Sequence, residues 1–189
     1  MFAHGSGSSR WSPRNRQVAR AINAGGFGTL LLDLLTAAED EVDRQSRALR
    51  FDVQLLARRL VHATRWVARQ PGTASLSLGC FGASTGAAAA LLAAAHDREH
   101  IRAVVSRGGR PDLAGDALSL VRAPTLLIVG GRDKDVLELN RQALDLMLGE
   151  RRLEVVPGAT HLFEEPGALE RVAELARDWF DARLDGAGG

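Results

Sequence analysis

One short segment of the sequence contains the residue types that nucleophilic catalysis requires. Ser84 is the centre of the pentapeptide Gly82-Ala83-Ser84-Thr85-Gly86, between an apolar segment and an alanine-rich segment. A serine that attacks an acyl carbonyl must be exposed on a sharp turn, and flanking glycines allow such a turn because they have no Cβ atom. A helix that follows would direct its N-terminal N–H groups towards the developing oxyanion. This pattern is common in turns, so the prediction that Ser84 is a nucleophile depends on the rest of the chain.

A serine hydroxyl needs a neighbouring base to take its proton. His62 falls inside a predicted helix, and His96 and His100 fall at the far end of the helix after Ser84, so all three are predicted to lie on the surface. His161 follows the last predicted strand. The loop after a parallel strand lies on the same rim of the sheet as Ser84. We therefore predict that His161 is the base.

A carboxylate is expected to orient the imidazole and to stabilise its protonated form. The segment from Gly130 to Asp135 follows another predicted strand and offers two candidates, Asp133 and Asp135. Asp133 comes directly after a Gly-Gly turn and is our choice. Asp135 precedes an apolar helix and is interpreted as the residue that caps its N-terminus. The chain order serine, aspartate, histidine is the one found in hydrolases built on this kind of sheet.

The glycine-rich segment His4-Gly5-Ser6-Gly7 follows the first predicted strand and could form an oxyanion hole. We predict that the backbone N–H groups of Ser6 and Thr85 are the donors, and that His4 holds the loop in shape. A glycine-rich loop before a helix can also bind phosphate. This one lacks the Gly-Lys-Ser/Thr ending of a P-loop and the third spaced glycine of a dinucleotide fingerprint.

The elements that must position these residues alternate between short apolar runs and longer helical patterns. The predicted strands are residues 2–4, 27–33, 74–80, 101–106, 125–129 and 153–156. Ser12 and Pro13 open a helix that ends at the Gly25-Gly26 pair, and further helices are predicted at 55–67, 85–95, 135–148 and 164–184. The polar residues 36–50 are predicted to form a surface loop. Alternation of this kind predicts an α/β fold, a three-layer α/β/α sandwich with a mainly parallel sheet of about six strands.

Length and composition limit the classes of function. The 189 residues fit a single domain, predicted to span residues 1–185 with a flexible tail at 186–189. A net charge of +1 leaves no basic excess for nucleic acid. No signal peptide and no membrane-spanning run is recognised, so a cytoplasmic protein is expected. The single cysteine, Cys80, cannot form an internal disulfide.

Taken together, these segments resemble the α/β-hydrolase superfamily and, within it, the dienelactone-hydrolase-like branch. The matching stretches are His4-Gly5-Ser6-Gly7, Gly82-Ala83-Ser84-Thr85-Gly86, Gly130-Gly131-Arg132-Asp133 and Pro157-Gly158-Ala159-Thr160-His161-Leu162-Phe163. The resemblance implies a Ser84–Asp133–His161 triad, a small-molecule acyl substrate (an ester, a lactone or a related compound) and no metal or organic cofactor. Relatives in this branch are sometimes fused to a phosphoribosyltransferase domain.

The sequence departs from that branch in three respects. Dienelactone hydrolases proper use a cysteine nucleophile, whereas this turn carries Ser84. Superfamily members usually have one or two strands before the oxyanion loop, and here residues 27–33 would be an exposed sheet edge that could pair with a second copy to form a homodimer. Only Arg107 to Arg122 separate two predicted strands, too few for a lid domain, so an open site is expected.

The sequence is compatible with more than one substrate class and more than one activity. Arg107, Arg110 and Arg132 follow strand ends, and Arg107 and Arg132, together with His4, could contact an acidic substrate; solvated loop arginines are an equally good interpretation. A thioesterase, an acyl-peptidase or a catalytically idle binding protein would share the same fold.

Overall fold

The computed structural model describes residues 1–184, so the predicted tail at 186–189 lies outside the described residues. The chain forms five parallel strands in the sheet order β1-β2-β3-β4-β5. The strands are β1 (Phe2–Ala3), β2 (Leu78–Ala83), β3 (Ile101–Arg107), β4 (Thr125–Gly130) and β5 (Arg151–Val156). The α-helices are α1 (Pro13–Ala24), α2 (Ala37–Ser46), α3 (Val53–Val67), α4 (Thr85–His96), α5 (Lys134–Leu146) and α6 (Ala168–Leu184). Two 3₁₀ segments, Leu49–Phe51 and Pro111–Leu120, complete the described chain.

Helices cover both faces of the sheet, so the predicted three-layer sandwich is confirmed. On one face, α3 and α4 enclose a core that includes Leu60, Leu91 and Val104. On the other face, α1 and α6 enclose a core around Phe81 and Val105. Helix α4 is buried over its first eleven residues. Its alanines allow that burial because small side chains let the helix lie close to the sheet on one side and α3 on the other.

The predicted strand at residues 27–33 is wrong. Only Leu31 makes a bridge, with Phe2, and the Phe2 N–H donates to the Leu30 carbonyl over 2.8 Å. A strand requires a partner with enough backbone groups to pair, and β1 has only two residues. The segment therefore passes along the sheet edge as irregular chain. It borders an apolar groove of about 760 Å³.

The predicted loop at residues 36–50 is also wrong, since α2 occupies most of it. The Thr36 side chain accepts from the Glu39 N–H, and the Glu39 carboxylate accepts from the Thr36 N–H. This reciprocal capping box stabilises the first turn. Asp43 is the one buried residue of α2, so the helix has no apolar stripe that periodicity could reveal.

Several element boundaries differ from the predictions by a few residues, and local turns displace two of them. β2 begins at Leu78 instead of residue 74, since the Ala74 N–H donates to Gln70 over 2.8 Å within a turn. α6 begins at Ala168 instead of residue 164, after Gly167 at a φ of +78°. α5 runs from Lys134 to Leu146. Among the described residues, no helix is both long and apolar enough to cross a membrane.

Candidate active site

Ser84 lies on a strained turn between β2 and α4. Its backbone has φ 51° and ψ −122°, a conformation that residues with a side chain rarely adopt. Close packing leaves no space for a Cβ atom at Gly82 or at Gly86. A Cβ atom on Gly82 would lie 2.5 Å from the Ala87 Cα, and one on Gly86 would lie 2.3 Å from the Ala3 carbonyl oxygen. The start of α4 thus packs backbone to backbone against the end of β1.

Hydrogen bonds attach this turn to the end of β3. The Ser84 N–H donates to the Arg107 carbonyl over 3.2 Å. The Ser84 carbonyl accepts from the N–H groups of Arg110 at 3.2 Å and Ala87 at 3.0 Å. Backbone strain at a single residue persists only where the surroundings hold it, and these three bonds do so.

The structure brings His161 and Asp133 together. The His161 Nδ1 lies 2.6 Å from the Asp133 Oδ2. Asp133 occupies the N-cap position of α5 but makes no capping bond with its side chain. The interpretation of Asp135 as the cap is therefore wrong, since Asp135 lies within the first turn. The carboxylate at the true cap position is directed to the histidine instead of to the helix N–H groups.

Backbone contacts hold the two loops that carry this pair. The Arg132 N–H donates to the Ala159 carbonyl over 2.9 Å, and the Asp133 N–H donates to the Gly130 carbonyl over 3.0 Å. A Cβ atom on Gly130 would lie 2.4 Å from the Ala159 carbonyl oxygen, so the loops touch through their backbones. The relative position of Asp133 and His161 is fixed by main chain and not by flexible side chains.

Glu165 stabilises the loop that carries His161, a role that the sequence did not predict. Both of its carboxylate oxygens accept from the Thr160 N–H at 3.1 Å. Hydrogen bonds, first from the Thr160 side chain and then from the backbone of Glu165 and Thr160, hold the pKa of the Glu165 carboxyl below its ordinary value. An acid four residues after the histidine in a loop has no periodicity signal that could have revealed this contact.

Ser84 and His161 both border the turn at Gly108. The Ser84 N–H is bonded to the residue before Gly108, and a Cβ atom on Gly108 would lie 3.5 Å from the His161 Cε1. Within residues 1–184, no hydrogen bond joins the Ser84 hydroxyl to the His161 ring. Catalytic hydrogen bonds are often long in structures without substrate and shorten when it binds.

The predicted oxyanion loop lies directly against Ser84. A Cβ atom on Gly5 would be 3.2 Å from the Ser84 Cβ. The His4 Nε2 accepts from the Leu34 N–H at 3.1 Å, and the His4 Nδ1 lies 2.9 Å from the Gly5 carbonyl oxygen. Because Nε2 accepts, the ring is neutral and its proton is on Nδ1. His4 therefore connects the predicted oxyanion loop to Leu34, at the end of the segment that runs along the sheet edge.

The two predicted oxyanion donors differ in their partners. The Ser6 N–H donates to the Thr85 Oγ1 over 2.9 Å, whereas the Thr85 N–H has no acceptor among the described residues. The Thr85 side chain is 4% exposed. The sequence pattern predicts a role for the Thr85 backbone and does not indicate one for its hydroxyl.

A cavity of about 670 Å³ adjoins the oxyanion loop on the side of α2. Leucines line part of it, together with three arginines paired to aspartates: Arg10–Asp33, Arg44–Asp40 and Arg50–Asp43. Burial favours the neutral form of Asp43, but hydrogen bonds from Arg50 outweigh it and hold the pKa of this carboxyl below its ordinary value. The cavity reaches Ser6, but neither Ser84 nor His161 is among the residues that line it.

The three arginines considered as substrate contacts lie in different environments. Arg132 is exposed, and Arg110 pairs with Asp112 over 2.7 Å. Arg107 is only 7% exposed, and its Nη1 is buried without a partner among the described residues. Burial, and to a lesser extent Arg14, lowers the pKa of Arg107 to about 10.

The remaining histidines lie away from Ser84. His62 and His96 are exposed, as expected. His100 is half-buried, and its Nδ1 lies 2.6 Å from Asp97, at the start of β3 and so at the opposite end of the sheet. Within residues 1–184, no group of three or more histidine, cysteine or acidic side chains could hold a metal ion.

Known proteins share this architecture and much of this sequence. Residues 11–184 match the model of the dienelactone hydrolase family. The chain is 63% identical over 188 residues to a Mycobacterium tuberculosis protein whose name assigns it provisionally to the phosphoribosyl transferases. That match covers 100% of this chain and 42% of the relative. The chain thus spans less than half the length of the curated relatives it matches.

The solved structures agree with the family match. The dienelactone hydrolase from Anabaena variabilis is 58% identical, with a TM-score of 0.95 over 97% of this chain and 85% of that chain. Est1E from Butyrivibrio proteoclasticus is 16% identical, with a TM-score of 0.79 over 96% of this chain and 86% of that one, and shows the shared fold alone. On these matches, the chain belongs to the dienelactone hydrolase family.

Proposed function

We propose that the chain is a serine hydrolase that cleaves a small carboxylic ester, lactone or related acyl bond. Family membership supports hydrolase chemistry, and the 2.6 Å contact between His161 and Asp133 is the observation that carries the finer proposal. With Nδ1 engaged by the carboxylate, Nε2 is the nitrogen left to face the serine. Ser84 lies on a strained turn beside Gly108, and the His161 ring also lies beside Gly108.

The proposed reaction has two steps. The Ser84 Oγ attacks the acyl carbon while the His161 Nε2 takes the hydroxyl proton, and that proton passes to the leaving alcohol as the carbon–oxygen bond breaks. Water then loses a proton to His161 and attacks the acyl-enzyme, which releases the acid and restores the Ser84 hydroxyl. Asp133 keeps the imidazole in the required tautomer and stabilises its protonated form.

The test combines covalent labelling with turnover of an activated ester. A fluorophosphonate probe should label the parent protein once, and Ser84→Ala should remove both the label and nearly all hydrolysis of p-nitrophenyl acetate. Ser75→Ala is the matched control because Ser75 is exposed in the turn before β2, and this variant should behave like the parent. Labelling and turnover that survive Ser84→Ala would refute the assignment.

One observation favours a catalytically idle binding protein as the second candidate. The Ser6 N–H already donates to Thr85, so one predicted oxyanion donor is occupied before any substrate arrives. An idle fold predicts no labelling of the parent protein at Ser84. A panel of esters, lactones, thioesters and amides would then separate an esterase from a thioesterase or an acyl-peptidase, which share the triad.

The proposed activity refers to this chain and not to its longer relatives as whole proteins. The name of the M. tuberculosis relatives refers to proteins more than twice as long, of which the match covers 42%. Under this proposal, the hydrolase chemistry resides in the portion that the two share.

A further inference from the structure

We infer that the hydroxyl of Thr85 donates a hydrogen bond directly to the oxyanion, and that the Ser6 N–H acts by orienting that hydroxyl. The inference rests on the proposed function, since an oxyanion forms only if Ser84 attacks a carbonyl. It changes the role of Ser6 from donor to positioning residue. Thr85 then supplies two donors to the oxyanion, its backbone N–H and its side-chain O–H.

Thr85 accepts a hydrogen bond through its hydroxyl oxygen, but its two donors lack acceptors among the described residues. Its Oγ1 accepts from the Ser6 N–H at 2.9 Å. Among the described residues, neither its hydroxyl proton nor its N–H has an acceptor. The buried Thr64 provides the contrast, because its hydroxyl donates to the Leu60 carbonyl over 2.8 Å within α3.

Buried donors are nearly always paired, because leaving one without an acceptor is unfavourable. Thr85 is 4% exposed and follows the nucleophile directly. The Thr85 N–H is one of the groups that every helix start leaves unpaired, so the hydroxyl is the informative donor. A hydroxyl proton without an acceptor among the described residues, on a buried residue next to Ser84, indicates that an acceptor is present when the site works. The carbonyl oxygen of the substrate, which becomes negatively charged during attack, is such an acceptor.

The packing around Gly5 and Gly86 explains why the hydroxyl stays in place. Gly86 lies against the backbone of β1, and Gly5 lies against Ser84. The oxyanion loop and the first turn of α4 are therefore locked together, and the Ser6 N–H is directed at Thr85. A hydroxyl that accepts a hydrogen bond is a better donor, because hydrogen bonds in a chain polarise one another.

The test replaces the hydroxyl while keeping the shape of the side chain. Thr85→Val should lower kcat about 100-fold, the usual effect of removing one oxyanion donor, with KM within about twofold and an unchanged melting temperature. Thr85→Ser should restore most of the rate. Thr64→Val, which also removes a buried threonine hydroxyl, should leave kcat unchanged.

A transition-state analogue separates a direct donor from a residue that only shapes the loop. A trifluoromethyl ketone forms an oxyanion on Ser84, so its inhibition constant should rise in Thr85→Val by the same factor by which kcat/KM falls. A rise in KM with kcat and the inhibition constant unchanged would overturn the inference. So would a Thr85→Ser variant as slow as Thr85→Val.

A double variant tests the role assigned to Ser6. Proline has no N–H, so Ser6→Pro removes the bond to Thr85. If Ser6 acts through Thr85, the Ser6→Pro/Thr85→Val protein is no slower than Thr85→Val alone, whereas multiplied losses would mean that the Ser6 N–H contacts the oxyanion itself. If the parent protein shows no Ser84 labelling, the proposed function fails. If labelling is intact but Thr85→Val has the parent's kcat, only this inference fails.

Discussion

Replacement of Arg107 by methionine is expected to stabilise the protein. Arg107 is 7% exposed at the end of β3, with Arg14 as a charged neighbour and no acceptor for its Nη1 among the described residues. Burial first, and Arg14 second, lowers its pKa to about 10. Each tenfold change in a protonation equilibrium is worth about 1.4 kcal/mol, so the buried charge costs about 3–4 kcal/mol.

Methionine keeps the length and packing of the arginine stem without the charge. Replacing a buried charge by a well-packed apolar side chain is often stabilising by about 1–4 kcal/mol, so we expect the free energy of unfolding to rise by about 1–3 kcal/mol. That increase corresponds to about 2–4 °C in melting temperature for each kcal/mol. If Arg107 contacts an acidic substrate, KM should rise in the same variant.

Urea unfolding followed by circular dichroism measures this change. Arg102→Met is the matched control, since Arg102 is exposed on the same strand, and it should alter stability by less than about 0.5 kcal/mol. An Arg107→Met protein that is less stable than the parent by 1 kcal/mol or more, about a fivefold loss in the folding equilibrium, would refute the reasoning. It would mean that the guanidinium makes compensating interactions.

Three further predictions follow from the contacts described above. Asp133→Asn should lower kcat about 10⁴-fold without unfolding the protein, because the amide favours the wrong imidazole tautomer; steady-state kinetics and circular dichroism check both parts. Hydrogen bonds, first from the Thr36 backbone, hold the pKa of Glu39 below its ordinary value. Its carboxylate therefore stabilises the fold at pH values above the unfolded pKa of about 4.3. Glu39→Gln should be destabilising at neutral pH. The difference in stability between the parent and this variant should vanish as the pH falls through the folded pKa. Gly86→Ala should destabilise by about 1–3 kcal/mol or more, because its Cβ would lie 2.3 Å from a backbone carbonyl oxygen, whereas Gly72→Ala, with nothing within 4 Å, should be neutral in thermal denaturation.

Elements defined by local pattern could be predicted from the sequence. Ser12 and Pro13 predicted the start of α1, where the Ser12 side chain accepts from the Asn15 N–H. The alanine-rich run after Ser84 predicted a helix that packs closely on the sheet. These predictions succeed because the signal and the structure depend on the same few neighbouring residues.

Elements defined by distant partners could not be predicted in the same way. The apolar run at residues 27–33 has the composition of a strand, but β1 offers only two residues beside it. The segment 36–50 has the Thr36–Glu39 capping box but no apolar stripe, and hydrophobic periodicity alone therefore predicts a loop.

In the candidate site, too, some features could be predicted from local pattern and others could not. Residue order and strand ends predicted which loops would meet. They did not show that the carboxylate at the N-cap of α5 turns to His161, that the Ser6 N–H is bonded to Thr85, or that Arg107 is buried. Each of these depends on side-chain directions set by packing across the sheet.

The backbone conformation of Ser84 also affects how this protein can change by mutation. A residue with a side chain at φ 51° and ψ −122° carries strain of about 1–3 kcal/mol, which glycine would avoid. A population of variants selected only for thermal stability would therefore drift towards glycine at position 84 and lose the proposed nucleophile. Under the proposed function, retention of serine there reflects selection for activity, and the residue at this position would indicate whether a homologue is still used as an enzyme.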